Sequence, residues 1–228
     1  KNIFKKVWTK GNTKGLVGNF FSYLDLIFVD HGIFRFYWRS LYQISKDVYR
    51  SNQPFPWQIL NDKNHRGIKT IINLRGKRNC SSYYLEKEVC KKHNITLIDF
   101  PVTSRAAPNP DTILKAKQLF KKVEYPILMH CKSGADRAGL MSALYLILNK
   151  NIRVEEAKKQ LSFKYLHIKY AKTGILDEFF EKYLKDTKEN KIKFLDWVKK
   201  RYDSDKLKSS FKPKKLFDIL ITVFLKRE

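Results

Sequence analysis

The chain has 228 residues, 43% of them hydrophobic and 14% aromatic, which is enough to build a substantial core and excludes a disordered chain. Lysine and arginine number 47 against 22 aspartates and glutamates, a net charge of +25, so the surface attracts anions: nucleic acid, anionic lipid head groups or phosphorylated substrates. Three cysteines, Cys80, Cys90 and Cys131, are too few and too scattered for a disulfide framework or a zinc site, and they suggest a reducing compartment.

Residues 1–43 read as an aromatic, basic N-terminal extension broken by glycines. Its stretch from Leu16 to Trp38 is rich in Phe, Leu, Ile and Tyr but carries Asp25, Asp30, His31 and Arg35. One such charge opposes membrane insertion by about 3 kcal/mol, so the expectation is a helix packed on the domain or lying on a membrane surface.

The body of the chain, residues 44–203, alternates strand and helix signals. Val48 and Tyr49 suggest a short strand. Pro54 and Pro56 delay any helix until Trp57, and Gly67 closes that helix after Arg66. Ile68 to Leu74 is a β-branched run typical of a buried strand. Ser81 to His93 reads as a helix with Ser81 or Ser82 as its cap, followed by a strand from Ile95 to Phe100. Pro101 to Pro110 is a loop, and Asp111 to Val123 is helical by the spacing of Ile113, Ala116, Phe120 and Val123. Pro126 to Met129 is a short apolar strand, and a helix runs from about Arg137 to Asn149. Val154 to Leu161, Leu176 to Leu184 and Phe194 to Tyr202 each carry a helical apolar face, and residues 204–228 form a basic amphipathic C-terminal segment. This order predicts a three-layer α/β fold: a short, mostly parallel central sheet with helices on both faces and a helical C-terminal part.

The segment that carries chemistry is Pro126-Ile-Leu-Met-His130-Cys131-Lys-Ser-Gly134-Ala-Asp136-Arg137-Ala-Gly139. A strand enters a loop of small residues and a helix starts at its end. Successive backbone N–H groups at such a helix start bind a phosphate dianion. Arg137 adds a planar fork of donors suited to two phosphate oxygens. Cys131 stands at the mouth, in the field of those N–H groups, where a thiolate is favoured. His130 can orient the loop by hydrogen bonding. Lys132, Ser133, Gly134 and Ala135 complete the cradle, and Lys132 either adds charge for multiply phosphorylated substrates or points to solvent.

His130-Cys131, five residues, then Arg137 resembles the signature loop of the protein tyrosine phosphatase superfamily in its compact dual-specificity branch. Val48-Tyr49-Arg50-Ser51 with Gln53-Pro54, and Ile68 to Arg75, resemble the opening of bacterial members, so the resemblance covers about Asp47 to Leu184. It implies a cysteine-dependent phosphatase. Cys131 attacks phosphorus in line, a thiophosphate intermediate forms, a general acid protonates the leaving oxygen, and water completes the hydrolysis. Arg137 and the loop amides hold the equatorial oxygens. No metal or other cofactor is implied, because the loop supplies the positive charge. The implied substrate is a phosphorylated protein, with a phosphoinositide, phospholipid or phosphoglycan as the alternative. An anionic membrane surface is a further candidate partner, which fits a cytoplasmic or membrane-peripheral location. A nucleic-acid partner is not expected, since no zinc finger, helix-turn-helix or aromatic RNA-binding signature occurs.

Two departures from the family pattern stand out. The residue after the signature arginine is usually Ser or Thr, whose hydroxyl helps the thiolate leave. Here it is Ala138, which points to slow turnover, to Ser133 as a partial substitute, or to a catalytically weak phosphate-binding module. The loop that carries the acidic residue in many relatives holds no carboxylate here. The candidates for general acid are therefore Asp136, as in myotubularin-like and some bacterial lipid-active members, then Asp99 and Asp111. Arg105, in the same loop, is a candidate substrate contact. Arg50 and Arg75 read as structural or rim residues, His167 as packed among helices, and Cys80 or Cys90 as core cysteines that could pair with Cys131 on oxidation.

Overall fold

The computed structural model describes residues 15–30 and 38–214. They fall into two compact units, one within Lys1–Pro101 and Glu124–Gly134, the other within Val102–Val123 and Ala135–Glu228.

The first unit holds the sheet. Its strands are β1 (Tyr42–Ser45), β2 (Val48–Ser51), β3 (Thr70–Asn73), β4 (Thr96–Asp99) and β5 (Ile127–His130), in the order β1-β2-β5-β3-β4. β1 and β2 run antiparallel and every other pair is parallel. β5 lies between β2 and β3, in register so that His130 sits opposite Ser51 on one side and Asn73 on the other. All four β5 side chains are buried, as a strand with a neighbour on each side requires. Helix α1 (Gly15–Leu24) runs into a π-helical turn, Asp25–Val29; α2 (Pro56–Arg66) and α3 (Ser81–Lys92) lie between the strands in sequence. Pro56 starts α2 where its missing N–H costs nothing, and Gly67, at φ 66°, closes it in the left-handed conformation.

One core cluster of this unit joins Ile59 of α2, Val89 and Cys90 of α3, and Ile68, Ile71, Ile95 and Leu128 of the sheet region. Each fully buried Ile or Leu among them contributes about 1.5–3 kcal/mol. A second cluster ties Leu26 to Phe55 and Leu85. Polar contacts fix the same element: Ser81 donates to Asp25 at 2.6 Å, and Arg75 forms a two-pronged pair with Asp30 at 2.8 and 2.9 Å. Asp25 and Asp30, two of the four residues that opposed membrane insertion, are thus consumed in packing the N-terminal helix on the domain. Among the described residues no helix is long and apolar enough to cross a membrane.

The second unit is helical: α4 (Pro110–Lys122), α5 (Asp136–Lys150), α6 (Val154–Ala157), α7 (Ile175–Asp186), α8 (Phe194–Lys200) and α9 (Ser204–Ser210). α4 and α5 pack together, with Phe120 edge-on to Tyr145 at 5.3 Å. Phe179, Phe180, Phe194, Trp197 and Tyr202 form an aromatic core, and polar tips find partners: Trp197 donates to Asp186 and Tyr202 to the Pro108 carbonyl, both at 2.9 Å.

The α/β class, the mostly parallel short sheet and the helical C-terminal part agree with the expectation from sequence. Some local readings need correction. The α3 N-cap is Cys80, which makes no side-chain cap bond; Ser81 and Ser82 lie inside the helix, and Ser81 spends its hydroxyl on Asp25. β1 was not anticipated, because four half-exposed residues on a sheet edge leave no periodic trace. The helix expected from Val154 to Leu161 is α-helical only to Ala157 and tightens to a 3₁₀ turn over Lys158–Gln160, a polar stretch with nothing to bury. The C-terminal segment beyond residue 214, and the expectations placed on residues 1–14 and 31–37, lie outside the described residues.

Candidate active site

The first half of the signature segment belongs to the sheet unit. β5 delivers His130 and Cys131 at its carboxyl end, where side chains and loop amides collect in parallel sheets. His130 is fully buried. Its Nε2 lies 2.6 Å from Glu86 Oε1, an ion-pair separation whose alignment is poor for a hydrogen bond. Glu86 is held from its other oxygen by Gln53 Nε2 at 2.8 Å. Cys131 is 2% exposed, and the Gly134 amide donates to its sulfur at 3.2 Å.

Gly134 is where this loop is most constrained. Its φ is 78°, and a Cβ there would lie 2.7 Å from the Asn52 nitrogen and 2.9 Å from the Ser51 carbonyl carbon. Only glycine combines that conformation with that approach. The carbonyl of Gly134 accepts from Arg50 Nη2 at 2.7 Å, and Lys132 O accepts from the Gln53 amide at 3.2 Å. Of the two roles its sequence context left open, structural or rim, the fully buried Arg50 takes the structural one, and what it supports is this loop. Lys132 and Ser133 are half-buried.

The second half opens α5 in the helical unit. Ala135 is the N-cap residue, Asp136 starts the helix and Arg137 follows, all three buried. An acidic first residue suits a helix N-terminus. Asp136 has a further partner that sequence reasoning did not connect to it. Asp136 Oδ1 lies 2.7 Å from His167 Nδ1, and His167 Nε2 lies 2.6 Å from Asp177 Oδ2. Burial alone would push the His167 pKa down. The hydrogen bonds and charges of the two carboxylates outweigh it and raise the pKa to about 9, so the ring is an imidazolium that donates from both nitrogens. His167 is packed among helices, as expected, but as one member of an Asp–His–Asp chain that reaches the signature segment. The separations of 31 and 10 residues leave no motif by which the sequence could reveal it.

The remaining candidates lie as follows. Asp99 ends β4 and accepts from Tyr83 at 2.7 Å and Asn73 at 2.9 Å. Asp111 is exposed in the first turn of α4. Arg105 is exposed in the loop before α4 and makes no hydrogen bond or ion pair among the described residues. Arg75 is structural, through Asp30. Ala138 is fully buried in α5. All three cysteines are free. Cys90 belongs to the core, where burial, and after it the charge of Glu86, pushes its thiol well above the ordinary range. Among the described residues no cluster of His, Cys, Asp or Glu has the geometry to hold a metal ion.

A parallel-sheet strand that ends in a buried cysteine and a loop of small residues, followed by Arg137 in a helix first turn, marks the phosphatase class. Residues 60–176, more than half of the chain, match the model of the family described as DSP-PTPase phosphatase fused to NAD+ kinase, and the chain belongs to that family. It is accordingly a phosphatase of the dual-specificity-like branch of the protein tyrosine phosphatase superfamily. Among solved structures, TpbA of P. aeruginosa is 17% identical, with 75% of this chain and 90% of that chain covered and a TM-score of 0.53; it shares the fold. PTPMT1 is 19% identical over 66% of this chain and 99% of that one, with a TM-score of 0.48. The core catalytic domain of the PP-IP phosphatase SIW14 from S. cerevisiae is 15% identical over 66% and 92%, also with a TM-score of 0.48. No curated protein is similar enough to match.

Proposed function

We propose that the chain hydrolyses phosphate monoesters through a covalent thiophosphate on Cys131, with phosphorylated proteins as substrates. The observation that carries this reading is the Gly134 amide aimed at the Cys131 sulfur at 3.2 Å, in a loop whose conformation only glycine accommodates. A backbone N–H aimed at the sulfur supports it as the nucleophile that attacks phosphorus. Arg137, six residues on, supplies the guanidinium for the equatorial oxygens, together with the backbone amides of the segment from Lys132 to Ala135. His130, buried behind the cysteine and beside Glu86, holds the strand end in place.

Asp136 is our assignment for protonation of the leaving oxygen. His167 and Asp177 stand behind it in one hydrogen-bonded chain, so the proton delivered to the leaving oxygen is drawn from His167 Nδ1 through the Asp136 carboxyl, leaving a neutral imidazole that Asp177 still holds at Nε2. Asp99 is occupied by two donors, which weakens its claim. Arg105 is a candidate rim contact for a second substrate group.

The net charge of +25 favours a second reading of the substrate, a phosphorylated lipid attacked by the same chemistry. The test compares kcat/KM for a phosphotyrosyl peptide, a phosphoseryl peptide and a phosphoinositide in mixed micelles, with Cys131→Ser as the blank. Preference for the peptides supports the protein substrate. A phosphoinositide preferred over both peptides overturns that choice while leaving the chemistry intact. Activity retained in Cys131→Ser overturns the mechanism.

A further inference from the structure

Helix α1 and the turn after it have two unlike faces. The inner face is fixed by Leu26 against Phe55 and Leu85, by Asp25 under Ser81, and by Asp30 in its two-pronged pair with Arg75. The outer face carries Leu16, 91% exposed, Phe20, 60% exposed, and the exposed Val17, Phe21 and Phe28. Positions 16, 17, 20 and 21 recur along one edge of α1, and Phe28 is exposed in the π-helical turn that follows. Tyr23 stacks on Trp57 at 6.5 Å, and the part-exposed indole extends the aromatic margin. Scattered apolar side chains are ordinary on a surface, but a continuous row on a helix anchored from behind is a contact surface.

The charges of the surrounding sequence identify the partner. Gly15 to Leu24 contains no charged residue, and the first carboxylate in the chain is Asp25, which faces inward. Before α1 the sequence holds Lys1, Lys5, Lys6, Lys10 and Lys14 and no acidic residue. A groove on another protein would accept the apolar row but has no need of a purely cationic flank. An anionic bilayer takes both: phenylalanines enter the boundary between head groups and acyl chains, and lysines meet the phosphates. A ten-residue helix spans about 15 Å, half a hydrocarbon core, so it lies in the interface and does not cross it. We propose that the outer face of α1 docks this protein on an anionic lipid bilayer. The proposal stands on α1 and its flank alone and is independent of the cysteine chemistry.

Flotation of the full chain with vesicles tests it, using phosphatidylcholine alone and phosphatidylcholine mixed with phosphatidylglycerol. The parent should float with the mixed vesicles only and be released as salt is raised. Phe20→Ser combined with Phe21→Ser should lower the bound-to-free ratio by about tenfold or more. Lys10→Gln combined with Lys14→Gln should do the same by about tenfold or more. All four positions lie outside the machinery proposed for hydrolysis, so circular dichroism and turnover of a soluble aryl phosphate should not change. The proposal fails if the parent ignores the mixed vesicles or if the Phe20→Ser, Phe21→Ser pair binds them as well as the parent. It fails also if the parent sediments as a dimer that this pair dissociates, which would assign the face to a second copy of the chain.

Discussion

Replacing His167 exposes the most sharply defined electrostatic feature of the helical unit. The ring is 3% exposed and lies between Asp136 at 2.7 Å and Asp177 at 2.6 Å. Its pKa rises from 6.5 in the unfolded chain to about 9 in the folded one, which at ~1.4 kcal/mol per pH unit is worth about 3 kcal/mol of stability. The folded state holds the proton more tightly, so the contribution is complete below pH 6.5, declines above it and is gone once the pH passes about 9. His167→Gln keeps the ring's approximate volume but not its charge. Urea unfolding of parent and variant across neutral and alkaline pH gives the difference curve, in which titrating groups remote from His167 cancel. The variant should be less stable by about 3 kcal/mol at the acid end of the window, and the two should converge towards the alkaline end. Parallel curves, or a difference that grows with pH, would refute the imidazolium assignment.

Other consequences can be read from single contacts. Gly134→Ala forces a Cβ to within 2.7 Å of the Asn52 nitrogen at a φ of 78°, and should cost about 1–3 kcal/mol in a thermal melt. Its loss of aryl phosphate turnover should exceed what the fraction unfolded explains. Arg75→Ala strips the guanidinium from buried Asp30 and should destabilise by about 3–5 kcal/mol in urea, with Arg75→Met combined with Asp30→Leu recovering most of the loss. Ala138→Ser restores the hydroxyl that relatives place after the signature arginine. It should raise the steady-state rate several-fold while the pre-steady-state burst shrinks, because intermediate hydrolysis no longer limits turnover.

Much of the fold was legible because strong local signals agreed. β-branched runs marked β3, Pro and Gly bounded α2, and apolar spacing marked α4 and α7 within a residue or two. β5 was legible from position as well as composition, since a short apolar run leading into His130-Cys131 has one natural place in a parallel sheet. The signature segment itself could be read because its residues are contiguous. What could not be read depends on distant pairing. Arg50 reaches Gly134 across 84 residues, and Asp30 meets Arg75 across 45. His167, in a loop, meets Asp136 of α5 and Asp177 of α7 only through the fold, so its role was invisible while its burial was predictable. Ser81 looked like a cap because its residue type suits one; the buried carboxylate of Asp25 claimed its hydroxyl instead.

The central claim is that Cys131 becomes covalently phosphorylated. Rapid-quench hydrolysis of para-nitrophenyl phosphate, with substrate in excess, should give a burst of nitrophenol stoichiometric with enzyme and a phosphate adduct on the Cys131 peptide by mass spectrometry. Cys131→Ser should show neither, and Asp136→Asn should slow the burst and flatten its acid-dependent limb. A burst that survives in Cys131→Ser, or a folded parent that neither bursts nor carries the adduct, would contradict the account.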